Sequence, residues 1–480
     1  MVAGENVLAI QVHSLSAVHH LSVRPQLILG STGRTLSGRA LADQLDLPRS
    51  QHTNFKIKNG REGIYLSAPN GLLVDWVKQE RLPTDFAWGR LVDGDPKWMI
   101  YPAPTPGTSN TTQSLVGVGP AVEVTPKGGF YFHGTRLTLT VDDPRAQVFY
   151  TLDGSDPGES AEMWQYEEPI VVDSTAVVKA RAFVPGLLAG PVSTHSYFVG
   201  RDFALPVISL STHPDNFFDD KIGIYVKGTN ESYENQRYKA NYGEDWERPL
   251  HIEFFEPDGS LGFSAAGGVK IIGLAGRTYP RKGMALFARK RYGSEAFEHR
   301  VFPDLPIERF TSLVLRNSGR DLVEHSTLFR DELCQALVSD LQFDQQAYRP
   351  CIVYINGAYW GIHNLREKQN EDYLASHHGV DPDRVDILEL YHGSPPPIVV
   401  EGDSRHYDEL ISYLEDHSMS DPEHYEYVKT QMYMDHFVSY IAAEIYLGNI
   451  DWLGNNVKFW RPQTPGGRWR WMLFDIDWGL

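Results

Sequence analysis

The sequence predicts a multidomain chain in which N-terminal all-β sandwich modules precede an α+β domain. With 480 residues, the chain is too long for one ordinary domain. Residues 122 to about 199 alternate apolar and polar positions in short runs separated by turn clusters, as β-sandwiches do. After about residue 204, apolar residues also recur at helical spacing, for example between Tyr425 and Leu447. The change of period indicates where the mixed domain begins.

The composition excludes several classes of function. Hydrophobic residues make up 41% of the chain, yet no uncharged apolar run reaches the ~18 residues of a membrane span. A formal net charge of -18 argues against a nucleic-acid binder, because phosphates would be repelled. Two cysteines, Cys334 and Cys351, exclude a disulfide framework, and no histidine has partners at zinc-ligand spacing. We expect a globular protein with no membrane span and no nucleic-acid partner.

Both ends of the sequence resemble the interior of domains. Residues 1–30 resemble the end of a jelly-roll-like module in the strand pattern from Gly4 to His13, and no signal peptide is visible. The last residues, Asp475 to Leu480, include no closing element. We expect the sequence to be part of a longer protein.

Residues 31–115 are predicted to form a small β-sandwich followed by a linker. They resemble part of a lamin-tail domain in three features: the pair Gly89-Arg90, Trp98, and the stretch Pro104-Thr-Pro-Gly107.

Residues 120–200 contain a more specific motif, Tyr150-Thr-Leu-Asp-Gly-Ser-Asp-Pro157. It resembles the chitobiase/β-hexosaminidase C-terminal module, which is an immunoglobulin-like β-sandwich. Asp153-Gly154 and Asp156-Pro157 predict a tight turn between strands. A fold signature is therefore favoured over a polysaccharide-binding site, although that alternative stays open.

The last third of the chain carries the chemical signal. Asp451 and Asn456 have the spacing Asp-x-x-x-x-Asn, which in protein kinases lets the Asp orient the attacking hydroxyl while the Asn binds Mg²⁺. Asp475 and Asp477 follow a predicted hairpin that would bring carboxylates beside this loop. Such carboxylates either bind metal or cap a turn.

Two upstream segments could complete a phosphate site. A glycine-punctuated stretch, Gly267 to Arg277, precedes Lys282, and a bare backbone turn followed by a cation can hold phosphates. The alternative is that Lys282 is a solvated surface lysine. Glu367 follows a predicted hairpin at Asn356-Gly357 and is predicted to be in the first turn of a helix. There, its negative charge either interacts favourably with the helix dipole or forms an ion pair with a phosphate-binding lysine.

Taken in order, these segments resemble the CotH kinase family over residues 204–480. The matching segments are Leu315-Arg-Asn317, Phe329-Arg-Asp331, Tyr354 to Ile362, Leu365-Arg-Glu367, Asn449 to Asp451 with Asn455-Asn456, and Phe474 to Gly479. The resemblance implies an atypical protein-kinase-like domain. It also implies transfer of phosphate from ATP, with Mg²⁺ or Mn²⁺, to Ser or Thr hydroxyls of a protein substrate.

The resemblance further implies a role for individual residues. Asp451 would be the catalytic Asp, Lys282 and Arg277 would contact the nucleotide, and Glu367 would pair with Lys282.

The metal ligands implied by the resemblance are Asn456 with Asp475 and Asp477. Which of the two aspartates is the main ligand stays open, since Asp477-Trp-Gly479 also imitates the Asp-Phe-Gly of ordinary kinases.

Family and module resemblance place the parent protein outside the cell or at its surface, with the cytoplasm as the alternative. The competing function is a non-catalytic extracellular surface protein. Its β-sandwich modules would bind polysaccharide or cell wall, and its kinase-like domain would be degenerate.

Overall fold

The computed structural model describes two N-terminal strands and most of residues 63–480. In that range, residues 69, 79–81, 83–85, 106–107, 160–161, 231, 236 and 391–395 lie outside the description. The first strands, β1 (Asn6–His13) and β2 (Ser22–Leu29), pair antiparallel. Two hairpins follow, β3 (Gly63–Ser67) with β4 (Leu73–Lys78) and β5 (Ala87–Arg90) with β6 (Trp98–Tyr101). Residues 31–62 lie outside the described residues, so the jelly-roll and lamin-tail resemblances stay predictions.

Eight strands form the predicted β-sandwich. They are β7 (Glu123–Thr125), β8 (Gly129–Tyr131), β9 (Thr135–Thr140), β10 (Gln147–Thr151), β11 (Trp164–Gln165), β12 (Ile170–Val172), β13 (Ala176–Phe183) and β14 (Ser193–Val199). One sheet has the order β11-β10-β13-β14-β8 and the other β12-β9-β7. Alternate residues of both sheets, such as Leu137 and Val178, are fully buried in the core between them. The predicted tight turn is present, with Gly154 at a φ of 89°.

A closed seven-stranded barrel follows the sandwich. Its strands are β15 (Val207–Ser211), β16 (Arg248–Phe255), β17 (Leu261–Ile272), β18 (Gly283–Phe287), β21 (Ser312–Arg316), β22 (Tyr348–Ile355) and β23 (Ala358–Glu367). Their order is β15-β16-β17-β18-β21-β23-β22, and a parallel pairing of β15 with β22 closes the ring. The barrel interior is apolar and includes Ile252, Val269, Leu286 and Leu315. Every second residue of a barrel strand therefore lies inside, and the residues between lie on the outer face.

Smaller elements decorate the barrel. Strands β19 (Phe297–Glu298) and β20 (Arg309–Phe310) pair with each other. Helices α1 (Asp215–Phe218), α2 (Asp321–Glu324) and α3 (Arg330–Leu337) lie in the connections between barrel strands.

The C-terminal part packs helices against a second sheet. The sheet has the order β25-β24-β26-β27, with β24 (Val385–Leu390), β25 (Ile398–Glu401), β26 (Val457–Pro462) and β27 (Arg470–Met472). The helices are α4 (Glu371–His378), α5 (Arg405–Asp416), α6 (Pro422–Gln431) and α7 (Met434–Leu447). The core that α5, α6 and α7 share with the sheet includes Leu410, Val428, Leu447, Phe459 and Trp469, whereas α4 packs through Leu374 in a separate cluster with Ile387 and Trp460. Modules rich in β-structure thus precede a mixed α+β domain, which confirms the predicted fold class.

Two local expectations need correction. The helical pattern from Tyr425 to Leu447 is two helices, because Met432 and Tyr433 adopt extended backbone between α6 and α7. Glu367 does not open a helix. It is the last residue of β23, and α4 begins only after Asn370, whose side chain caps the helix by accepting a hydrogen bond from the Tyr373 N–H.

The sandwich and the barrel share an aromatic interface. Phe198 of β14 lies against Phe255 and Tyr354 on the outer face of the barrel, with ring centroids 5.5 and 4.9 Å away. Beside these rings, the Ser196 hydroxyl donates to Glu253 at 2.5 Å. Burial raises the pKa of Glu253 to about 7. The sandwich thus covers one side of the barrel.

No helix in the described part of the chain is long and apolar enough to cross a membrane.

Phe198→Ala tests this interface. Because Phe198 is 1% exposed, we expect the substitution to lower the free energy of unfolding by about 3–5 kcal/mol. The control Phe132→Ala, at a residue that is 77% exposed, should change it by no more than about 0.5 kcal/mol. Denaturant unfolding of both variants gives the comparison, and equal effects would contradict a packed interface.

Candidate active site

The loop after α7 presents Asp451 to two asparagines. Gly448 ends the helix with a φ of 63°, which lets the chain turn away. Asp451 Oδ2 then accepts hydrogen bonds of 3.1 Å from Asn455 Nδ2 and from Asn456 Nδ2. The predicted Asp-x-x-x-x-Asn spacing therefore places both side chains in one hydrogen-bonded loop.

A buried glutamate stabilises this loop through hydrogen bonds. The Asn449 side chain donates to Glu444 Oε2 at 2.9 Å and accepts from the Asp451 N–H at 3.2 Å. Glu444 is 1% exposed, and burial raises its pKa to about 7. Glu444 and Asn449 are thus positioning residues that fix the backbone at Asp451.

The segment after β27 brings Asp475 to the same place. Asn456 Nδ2 donates to the Asp475 carbonyl oxygen at 3.3 Å, which ties the two loops together. Both Asn456 and Asp475 have a φ of 55°, a left-handed conformation that is unfavourable for non-glycine residues. Such strain of ~1–3 kcal/mol persists where surrounding contacts enforce it, and it clusters at functional sites. The structure therefore brings Asp451, Asn456 and Asp475 together.

Arg316, the last residue of β21, faces this cluster. Its Nη2 lies 2.5 Å from Asp475 Oδ1 and 3.4 Å from Asp477 Oδ2, and its Nε lies 3.2 Å from Asp331 Oδ2 on α3. Burial alone would lower the pKa of Arg316, but the Asp475 and Asp331 carboxylates outweigh it and hold the pKa well above its ordinary value. One guanidinium therefore joins the barrel, α3 and the Asp475 segment.

Asp331 is anchored from its other side as well. Arg366 Nη2 contacts Asp331 Oδ1 at 3.2 Å and Glu332 Oε1 at 3.0 Å, and these three side chains are almost fully buried. Burial raises the pKa of Asp331, but Arg366 and Arg316 outweigh it and keep the pKa below its usual value. Helix α3 is thus clamped to the outer face of the barrel by two arginines.

Asp477 has a different environment from Asp475. Its Oδ2 accepts from the Arg320 N–H at 2.6 Å, and its side chain is 7% exposed, compared with 34% for Asp475. Burial raises the pKa of Asp477 to about 7. Asp477 therefore caps the turn before α2, whereas Asp475 is the more accessible carboxylate.

Comparison with known families identifies two domains in the chain. Residues 269–480 match the family model described as CotH kinase protein, and residues 126–194 match the chitobiase/beta-hexosaminidase C-terminal domain model. The C-terminal domain is a CotH kinase domain. The matched range begins inside β17, so β15 and β16 complete the barrel from outside it. No curated protein matches the chain. Membership of this domain family suggests an atypical protein kinase that uses ATP and acts on a protein.

The two predicted phosphate contacts, Lys282 and Arg277, lie at the same end of the barrel as Arg316, but their side chains donate to backbone carbonyls. Lys282 Nζ donates to the carbonyl oxygens of Arg277 and Tyr279 at 2.7 and 2.8 Å, and burial lowers its pKa to about 8. The Arg277 guanidinium donates to backbone carbonyls, including those of Gly273 and Tyr242. Both cations therefore hold loops at one end of the barrel.

The structure also does not bring Lys282 and Glu367 together. Glu367 Oε2 accepts from the Ala347 N–H at 3.0 Å, and its Oε1 lies 2.7 Å from His377 Nε2. Glu367 is paired with Leu313, which in turn is paired with Leu286, four residues along β18 from Lys282. Four strand residues span ~13 Å, and the intervening strand adds further separation. The predicted ion pair between Lys282 and Glu367 is therefore wrong for this structure. An ion pair between a barrel strand and a helix is formed instead by Arg316 of β21 and Asp331 of α3.

Sequence reasoning missed Arg316 and Asp331 as site residues. Both belong to segments that carry the family resemblance, Leu315-Arg-Asn317 and Phe329-Arg-Asp331. The available signal was chain order: Arg316 ends a strand, and Asp331 begins the next long helix. A kinase pairs a strand lysine with a helix glutamate in this order.

The oxygen atoms of the site fit a small divalent cation. Within the described residues, no three His, Cys, Asp or Glu side chains form a metal-binding cluster. The Asn456 amide donates through Nδ2 to Asp451 and to the Asp475 carbonyl, so its oxygen stays an acceptor in the loop that contacts the Asp475 segment, whose carboxylate is 34% exposed. Mg²⁺ is usually bound by one or two carboxylates, with nucleotide phosphates and water as the other ligands. Asn456 and Asp475 fit that donor set.

Arg316→Met tests the central guanidinium. The change leaves Asp331, Asp475 and Asp477 without their shared cation, so we expect a loss of about 3–5 kcal/mol in unfolding free energy. The matched control is Arg309→Met, which removes an exposed pair with Glu298 and should cost about 1 kcal/mol or less. Similar unfolding midpoints for both variants would contradict the proposed role of Arg316.

Gly319→Ala tests the Asp477 turn. Gly319 has a φ of 52°, and a Cβ atom there would lie 2.0 Å from Asp477 Oδ2. Gly379, with a φ of 65° and no atom within 4 Å of the added Cβ, is the matched control. Both alanine variants should lose ~1–2 kcal/mol from backbone strain. Gly319→Ala should lose about 1–3 kcal/mol more as Asp477 is displaced, which thermal unfolding will reveal.

Proposed function

We propose that this chain is an ATP-dependent protein kinase that phosphorylates Ser or Thr hydroxyls of secreted or surface proteins. The observation that supports this most is the hydrogen-bonded cluster of Asp451, Asn456 and Asp475, in which the Asp475 carboxylate contacts a guanidinium that is itself paired with a helix carboxylate. Phosphoryl transfer depends on positioning and on charge neutralisation, and this site supplies groups for both.

Asp451 is the proposed catalytic carboxylate. Its Oδ2 is held by two asparagine amides, and its backbone is fixed through Asn449. A carboxylate fixed in this way can orient a substrate hydroxyl and accept its proton as the oxygen attacks the terminal phosphorus.

Arg316 is the proposed phosphate-binding cation. Its pairing with Asp331 occupies one edge of the guanidinium, and Nη2 reaches toward the Asp475 segment. A planar guanidinium is always charged and matches phosphate oxygens with paired donors, which makes arginine suited to this position.

Asn456 and Asp475 are the proposed ligands of Mg²⁺ or Mn²⁺. When bound, the metal ion would bridge the nucleotide phosphates and neutralise charge that develops during transfer. Asp477 supports the site by holding the turn at Arg320.

The test is incorporation of labelled phosphate from ATP into a Ser-rich protein and into the chain itself. Asp451→Asn should reduce incorporation by about 10²–10⁴-fold, because it removes the proton acceptor while keeping the size of the side chain. The control Asp435→Asn lies at the other end of α7, about 20 Å away along the helix, and should keep full activity.

Equal incorporation by wild type and Asp451→Asn would overturn the catalytic role of Asp451. No incorporation by wild type, with either Mg²⁺ or Mn²⁺, would favour a non-catalytic surface protein.

A further inference from the structure

A partly exposed apolar strip runs along the outer face of the barrel. Met284 and Leu286 of β18 point into the barrel core, and so do Leu313 and Leu315 of β21. Strand alternation therefore places Phe287 and Val314 outside, where both are partly exposed. Phe474, next to Asp475 in the chain, is also partly exposed.

Lys368 lies at one end of this strip. It directly follows Glu367, the last residue of β23, and its proximity to the outward-facing Phe287 ring places its side chain on the outer face. Its Nζ lies 6.0 Å from the centre of the Phe287 ring. Burial lowers the pKa of Lys368, Lys458 lowers it further, and Glu371 offsets these effects only in part.

Neighbouring cations have carboxylate partners that Lys368 lacks. Lys458 Nζ pairs with Glu389 at 2.9 Å while lying 4.5 Å from the centre of the Phe474 ring. Lys270, on the same barrel face, pairs with Asp245 at 2.7 Å. Across the described parts of residues 63–480, no ion pair or hydrogen bond engages the Lys368 ammonium. A largely buried cation without such a partner would be stabilised by a ligand that supplies hydrogen-bond acceptor atoms.

The distance from Arg316 sets the length of that ligand. Arg316 is paired with Asn364 of β23, and Lys368, four residues after Asn364, directly follows the end of that strand. Four residues of β-strand span ~13 Å, which is comparable with an extended nucleoside triphosphate from its terminal phosphate to its base. A nucleotide with its phosphates at Arg316 and Asp475 would thus lay its base on the strip beside Lys368.

We propose that Lys368 binds the nucleobase of the triphosphate, donating hydrogen bonds from its ammonium to the N7 edge of a purine. Phe287, Val314 and Phe474 would cover the faces of the base. This inference rests on the proposed kinase function and assigns the specificity-determining residue of the same site.

The chemistry of the ammonium predicts which bases are accepted. Lysine is a donor only, and N7 is an acceptor in both purines, with O6 as a second acceptor in guanine. Guanosine triphosphate should therefore bind at least as well as ATP. Pyrimidine triphosphates lack N7 and should bind more weakly.

The experiment is calorimetric titration of the full chain with Mn²⁺ and non-hydrolysable analogues of ATP, GTP and CTP, and with tripolyphosphate. Lys368→Met keeps the side-chain length without the charge and should weaken both purine analogues by roughly 10–100-fold. Tripolyphosphate should change by no more than about twofold, which also shows that the site is folded. The control Lys429→Met, on an exposed pair with Glu426 in α6, should bind like wild type.

The possible results separate this inference from the kinase proposal. Unchanged purine binding by Lys368→Met, or an equal loss for tripolyphosphate, overturns the role of Lys368 while leaving the kinase intact. Failure of wild type to bind any nucleotide overturns both. A wild type that binds the CTP analogue as tightly as the ATP analogue overturns the proposed contact with N7.

Discussion

The arrangement of the kinase domain depends on one buried cation, Arg316. It contacts carboxylates from α3 and from the segment after β27, so three parts of the chain meet at one guanidinium. Removing ions from water is costly, and such a cluster is stable only when every charge has partners. Arg366 supplies the second cation that Asp331 and Glu332 require. The pairing of charges therefore sets the position of α3 and of Asp475 relative to the barrel.

This constraint explains why the two loops that carry Asn456 and Asp475 can keep unfavourable backbone. Asn456 and Asp475 are both left-handed, and each is held by contacts to other segments of the chain. Glu444 and Asn449 fix the Asp451 loop from the α7 side. A strained conformation persists when its surroundings over-determine it, and here hydrogen bonds and an ion pair do so. The result is a fixed arrangement of acceptor oxygens.

The sequence predicted the part of the site that is local in the chain. Asp451 and Asn456 share one loop, so their spacing was enough to associate them, and the hairpin before Asp475 implied its proximity. The Lys282 and Glu367 pair failed for a physical reason: the barrel register separates the two residues by four strand positions and one intervening strand, which is too far for an ion pair. Glu367 pairs with Leu313 and lies on the interior side of the barrel, whereas Arg316 faces outward. Its contact with Asp475 joins residues distant in sequence, which no local pattern reports.

The barrel also connects the β-sandwich to the candidate active site. Its outer face packs against the sandwich at Phe255 and Tyr354, and against α3 at Arg316 and Arg366. Between these surfaces lies a close-packed interior that deforms little, so both sides keep a fixed relation to one another. Strands β15 and β16 contribute to this interior although the family match begins later in the chain. A fragment beginning at the matched range would lose β15, β16 and most of β17 and expose the apolar interior, because an open barrel has unpaired edges. The sandwich, packed on those same early strands, is therefore part of what stabilises the side of the barrel that carries the candidate site.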